Sequence, residues 1–191
     1  MPQDRTVSGL GPTLETDRLV LRPTQAEDFD AWADFAQDEA AMRHLGGVQP
    51  RTVAWRGFVS VAGAWVIQGF SMFSVIEKAT GRWVGRLGPW KPEGWPGAEV
   101  GWGLASHAWK RGYAVEGAAA TMDWVFDELG WTEVVHCIGP ANVASQMVAK
   151  RLGSRLLRLG RLPSPYDADE LEIWGQSRDQ WRQRRASTTG S

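Results

Sequence analysis

The chain has 191 residues, of which 43% are hydrophobic and 23% charged, with a formal net charge of −1. That length suits one domain with a sizeable core, and a near-zero charge gives no global basic field to attract nucleic acid. The single cysteine, Cys137, cannot form an internal disulfide and fits a reducing compartment. No run is long and apolar enough to span a bilayer, and no His/Cys cluster has metal-ligand spacing, so the expectation is a cytoplasmic protein without membrane, nucleic-acid or metal partners.

Residues 1–12, with two glycines and two prolines, read as a flexible leader to a domain over residues 13–175. Residues 176–191 read as a C-terminal extension ending in a disordered tail. In residues 18–22, Leu19 and Leu21 alternate with polar or smaller neighbours, which predicts a first strand. Thr24 with Glu27 three residues later has the form of a capping box, opening a helix over 26–37 whose Phe29, Trp32, Ala33 and Ala36 form one stripe. Pro50 opens a second helix to about residue 65. Residues 70–77 and 82–90 read as an antiparallel hairpin turning at Gly81. A Pro- and Gly-containing loop over 91–97 then places Trp90 and Trp95 just before Glu99.

Residues 99–104 are predicted as a strand with Val100, Trp102 and Leu104 on one face and Glu99, Gly101 and Gly103 on the other. The two glycines leave that second face bare, with Glu99 as an acid at the edge of an empty slot. A turn containing Lys110, Arg111 and Gly112 leads into a helix over 113–129, with Gly130 past its end. Free backbone N–H groups at that helix start, with two cations beside them, favour a pyrophosphate. An apolar strand over 134–138 completes a strand–helix–strand crossover, which requires parallel strands. A helix over 142–152 follows, with Asn142 as N-cap and Gly153 at its exit, and residues 156–162 and 170–174 read as a closing hairpin.

Four segments, in this order and spacing, resemble the GNAT acetyltransferases. They are Leu14-Glu-Thr-Asp-Arg-Leu-Val-Leu-Arg-Pro23, Glu99-Val-Gly-Trp102, Arg111-Gly-Tyr-Ala-Val-Glu116 and Asn142-x-x-Ser145-x-x-Val148-x-x-x-Leu152-Gly153. The branch they look most like is that of the ribosomal-protein N-terminal acetyltransferases of RimJ/RimL type. The resemblance implies an α/β (α+β) GNAT fold, a mixed and largely antiparallel sheet with a parallel pair splayed around an acetyl-CoA site and helices on both sides. It also implies acetyl-CoA as acetyl donor, held by Trp102, Leu104, Lys110, Arg111, Gly112, Tyr113, Ala114 and Asn142, and a monomer or homodimer.

The implied chemistry needs a group to take the amine's proton, N–H donors for the developing oxyanion, and a proton for the departing thiolate. Glu99 is the candidate base, its pKa raised by burial near tryptophans, the amides of residues 101–104 are the donors, and Ser145 is the acid. Ser145 also reads as an ordinary third residue of a capped helix, Cys137 as buried filler of an apolar strand, and His44, His107 and His136 as structural or exposed. Two positions depart from the family pattern. Trp109 stands where the phosphate loop usually has Gln or Arg, and Ala149 stands where many members carry a Tyr acid. The acceptor is a primary amine, either a protein N-terminus or a small molecule such as a polyamine, aminoglycoside-like compound or amino acid. A non-catalytic acyl-CoA sensor is the alternative. Among the twelve tryptophans, Trp90, Trp95, Trp102 and Trp109 are candidates to line one acceptor pocket.

Overall fold

The computed structural model describes residues 10–189, so most of the expected leader and the last two residues of the tail lie outside the described residues. The first half contributes β1 (Leu14–Glu15), β2 (Leu19–Arg22), α1 (Phe29–Gln37), α2 (Glu39–Met42), α3 (Arg51–Gln68), β3 (Phe73–Glu77) and β4 (Trp83–Trp90). The second contributes β5 (Glu99–Leu104), α4 (Tyr113–Asp127), β6 (Glu133–Ile138), α5 (Val143–Leu152), β7 (Arg155–Gly160), β8 (Leu171–Ser177) and α6 (Arg178–Thr189). The strands form one sheet in the order β1-β2-β3-β4-β5-β6-β8-β7. Every neighbouring pair is antiparallel except β5 and β6, which are parallel, as the expected fold class requires.

Strand alternation assigns each face a separate core. Leu19, Leu21, Phe73, Val75, Leu87 and Val100 turn to one side, where they bury Ala118, Met122, Val125 and Phe126 of α4. On the other side Trp32, Phe35 and Ala36 of α1 meet Ala54, Phe58 and Val61 of α3 over Met72 and Trp83. Truncating a side chain as buried as Phe126, 2% exposed, to Ala costs about 3–5 kcal/mol in a well-packed core. α6 continues the first core past residue 175, because Trp181 is buried and its indole donates to Asp123 of α4 at 2.7 Å.

Several local expectations need correction. The first helix is entered through a 3-10 turn, Ala26–Asp28, with Gln25 as its cap, so the Thr24–Glu27 capping box does not form. Asp28 takes over because it accepts from both Arg22 nitrogens at 2.8 Å, from the Ser74 hydroxyl at 2.7 Å and from the Gln25 N–H at 2.9 Å. The short α2 is too brief for a periodic signal and forms because Asp38 caps it, accepting from the amides of Ala40 and Ala41. α3 continues to Gln68 and ends on Gly69 at φ 76°, while α4 stops at Asp127, two residues early, with Gly130 still left-handed at φ 67°.

Candidate active site

The site begins where β5 and β6 part. They share one bridge, Glu99 opposite Val135, with the Val135 N–H on Ala98 O at 2.9 Å. Beyond it, side chains replace the ladder: the Cys137 N–H donates to Glu99 Oε1 at 3.0 Å, and His136 Nδ1 donates to Val100 O at 2.7 Å. The Ala105 N–H pairs with Val84 O on the β4 side, so by strand alternation the amides of Trp102 and Leu104 face the gap. Among the described residues neither has a partner in β6, whose pairing with β5 ends at Glu99.

His136 holds the parting strands. A carbonyl can only accept, so Nδ1 carries the proton and Nε2 accepts from Ser154 Oγ at 2.9 Å, and Ser154 in turn accepts from Gln176 at 2.9 Å. Burial lowers the imidazole pKa to about 4, which keeps it neutral and structural. Burial and the neighbouring Glu99 likewise push the Cys137 thiol far above its ordinary value, so it is a poor nucleophile.

Glu99 is 7% exposed. Burial raises its pKa, opposed by the Cys137 N–H, by the Trp95 indole at 2.5 Å and by the charge of Arg86. The face it shares with Gly101 and Gly103 is not an empty slot. A Cβ on Gly101 would lie 3.1 Å from Met72 Cε, and one on Gly103 would lie 3.1 Å from both Leu45 and Phe35. The glycines therefore let neighbouring side chains lie flat on the strand.

On the opposite face the turn into α4 is built from two left-handed residues, Lys110 at φ 61° and Gly112 at φ 83°. This alternation turns successive amides the same way. The first amide taken up by the helix is that of Glu116, which bonds Gly112 O, and those of residues 110–115 find no acceptor among the described residues. Side-chain cations add less than expected. Arg111 is bound to Glu77 at 2.6 Å, while Lys110 is exposed. Bonds from Thr80 and Tyr113, then the Arg111 charge, lower the Glu77 pKa. Arg18, from the opening motif, pairs with Glu116 at 2.5 Å and donates to Arg111 O at 2.9 Å, tying the turn to the sheet edge. Tyr113 is buried in the core and Ala114 packs against it.

α5 completes the gap. Asn142 caps it by accepting from the Ser145 N–H at 3.1 Å, and Ser145 Oγ accepts from Trp102 Nε1 at 3.1 Å. Because an indole N–H only donates, Ser145 Oγ is the acceptor in this bond and its own O–H is not used in it. Ala149 is fully buried with Ile138 and Trp174, and Trp102 packs against them, filling space that a larger side chain at 149 would need. Trp109 donates to Leu104 O at 2.8 Å and so closes the end of β5. Trp90 and Trp95 lie on the Glu99 side and Trp102 on the other, so the four tryptophans do not line one pocket. The left-handed Lys110 and the roles of Arg18, Glu77 and Arg86 were missed from sequence. Only the spacing of the opening motif hinted at Arg18.

Comparison with known proteins agrees with this geometry. Residues 18–155 match the acetyltransferase (GNAT) domain. A crystal structure of an acetyltransferase from Agrobacterium tumefaciens str. C58 is 32% identical, with a TM-score of 0.77 over 86% of this chain and 94% of that one. The uncharacterized protein YkkB of Bacillus subtilis is 34% identical over 87 residues, which is 44% of this chain and about half of YkkB, at 51%. RimJ of Mycobacterium smegmatis, solved with CoA-disulfide, has a TM-score of 0.67 at 17% identity over 93% of each chain, a likeness of fold alone. The matched domain covers most of the chain and carries the parted strands and the loop of open amides, and the chain belongs to the GNAT acetyltransferase family.

Proposed function

We propose that the chain transfers the acetyl group of acetyl-CoA to a primary amine by direct attack, with both substrates bound at once. The observation that carries this reading is the parting of β5 from β6, with Glu99 on one face of the sheet and Ser145 and the amides of residues 110–115 on the other. Those amides suit a pyrophosphate without side-chain help, so Trp109 in place of Gln or Arg is tolerable. Lys110, Arg111, Gly112, Tyr113, Ala114 and Asn142 are the proposed donor-binding positions together with Trp102 and Leu104, the side chains of Arg111 and Asn142 acting by shaping the main chain.

In the proposed reaction Glu99 accepts the amine's proton, directly or through water, and the nitrogen forms its bond to the acetyl carbon. The Trp102 and Leu104 amides hold the carbonyl oxygen as it gains charge, and Ser145 supplies a proton to the sulfur as the C–S bond breaks. The acceptor is a protein N-terminal α-amine or a small-molecule amine. A place near the RimJ/RimL branch is supported by the opening motif and by Ser145. A cytoplasmic monomer or homodimer is proposed with it. Among the described residues no helix is long and apolar enough to cross a membrane. Calorimetry with CoA and acetyl-CoA, followed by free-thiol release over a panel of amines and peptides, tests the reading. Micromolar binding, about −8 kcal/mol, with amine-dependent release is expected. A flat titration with both ligands refutes it, and binding without release from any amine turns it into the acyl-CoA sensor.

A further inference from the structure

Arg86 is a guanidinium set into the sheet face that also carries Glu99. It stands opposite Gly103 on β4, as Trp90 stands opposite Glu99, so Arg86 and Glu99 point to the same side. Four residues of strand separate their rows, roughly 14 Å, and two long side chains cover most of it. Between them the floor is glycine, with Gly88 opposite Gly101.

Arg86 packs over the Trp32 ring at 5.3 Å and donates through Nη1 to the thioether of Met72 at 2.7 Å. No carboxylate among the described residues forms an ion pair with it. A sulfur is a weak acceptor for a group with five N–H donors in a fork shaped for carboxylate. Met72 also places its methyl over Gly101, next to Glu99, so one flexible, unbranched side chain fills the space between the acid and the guanidinium. The loop between β7 and β8 approaches the 91–97 loop, its Pro163 lying 3.3 Å from a Cβ placed on Gly94.

We propose that the acceptor is an amine bearing a carboxylate close by, and that Arg86 binds this carboxylate in place of Met72 Sδ while the amine faces Glu99. The inference rests on the acetyltransferase reading and names its substrate class. Opposite charges at the two ends of the strip that Met72 covers match the two ends of such a zwitterion, and Met72 moves aside because its bond to Arg86 is the weaker one. Two sources share this chemistry, a free α-amino acid and a peptide whose first residue is acidic.

The test is thiol release from acetyl-CoA with free α-amino acids, their carboxamides, and C-terminally amidated dipeptides beginning with Asp, Glu or Ala. Acceptors with the carboxylate should exceed their neutral counterparts in kcat/KM by about 10- to 100-fold, mainly through KM. Arg86→Met should bring that ratio to within about threefold with acetyl-CoA binding kept, since neutral acceptors feel only the loss of its charge near Glu99 whereas carboxylate acceptors lose their anchor as well, and Arg86→Lys should keep part of the preference, which excludes misfolding. Preference for free amino acids or for acidic dipeptides identifies the source. Equal use of acids and amides by the parent, or an equal loss for both in Arg86→Met, overturns the proposal. Calorimetric titration of the same acids and amides into the CoA complex reads carboxylate recognition without turnover. Selective binding without thiol release would contradict the enzyme and keep the Arg86 site, whereas release without selectivity would do the reverse.

Discussion

Glu99→Gln isolates the proposed base from the rest of the site. Loss of a general base costs ~10² to 10⁴ in turnover, about 2.7–5.5 kcal/mol on the barrier. Acetyl-CoA affinity should hold, because Glu99 and the turn into α4 lie on opposite faces of the sheet. Stability follows from the two bonds seen here. The Cys137 N–H and the Trp95 indole each donate to one carboxylate oxygen. A carboxamide can accept only one of them and turns its NH2 toward the other, at a cost of about 1–3 kcal/mol. Against this, the raised pKa means that the protonated acid fits the folded protein better than its anion. The contribution of Glu99 is therefore fully present below its unfolded pKa of about 4.3 and is lost as pH rises through the folded value. The mutant escapes that loss, so its melting temperature should approach the parent's as pH rises. The assay is a pH–rate profile with a responsive amine beside melting curves on the same preparations. Parental rates in Glu99→Gln along the whole alkaline-rising limb would refute the role of Glu99.

Three further changes address the other parts of the site. Gly112→Val puts a β-branched residue at φ 83°, with its Cβ 3.3 Å from Arg18, and should weaken acetyl-CoA by about tenfold or more in a protein that still folds; calorimetry checks it. Ser145→Ala keeps the Asn142 cap, because that bond uses the backbone N–H, and should lower turnover at least about tenfold with little change in melting temperature; full activity in a stable mutant would leave thiolate protonation to water. His136, neutral in the fold with a pKa of about 4 against about 6.5 when unfolded, lends stability that is present above pH 6.5 and lost as pH falls toward 4. This amounts to about 3 kcal/mol, so His136→Gln should flatten the melting-temperature profile across that window.

What was legible in the sequence was whatever local pattern decides. The alternation in 99–104 assigned both strand faces correctly, and Asn142 and Gly153 marked the two ends of α5 as the structure has them. What was illegible depends on partners distant in sequence. Thr24 and Glu27 have capping-box spacing, yet Arg22 and Ser74 draw Asp28 into that role. Gly101 and Gly103 announce close approach without saying that Met72, Leu45 and Phe35 are what approaches. Arg111 beside a helix start reads as a free cation until folding brings Glu77 to it across 34 residues. Arg86 carries no motif, and only the pairing of β4 with β5 places it on the face of Glu99.

The central claim is that the donor's thioester enters the gap between β5 and β6 and is held by the Trp102 and Leu104 amides. Backbone amide NMR shifts measured with acetyl-CoA and with CoA test it most directly. The account predicts that amides of residues 110–115 shift with both ligands, while those of Trp102 and Leu104 move further with acetyl-CoA, which alone carries the carbonyl. Identical shifts at Trp102 and Leu104 with the two ligands, or no response there at all, would contradict it.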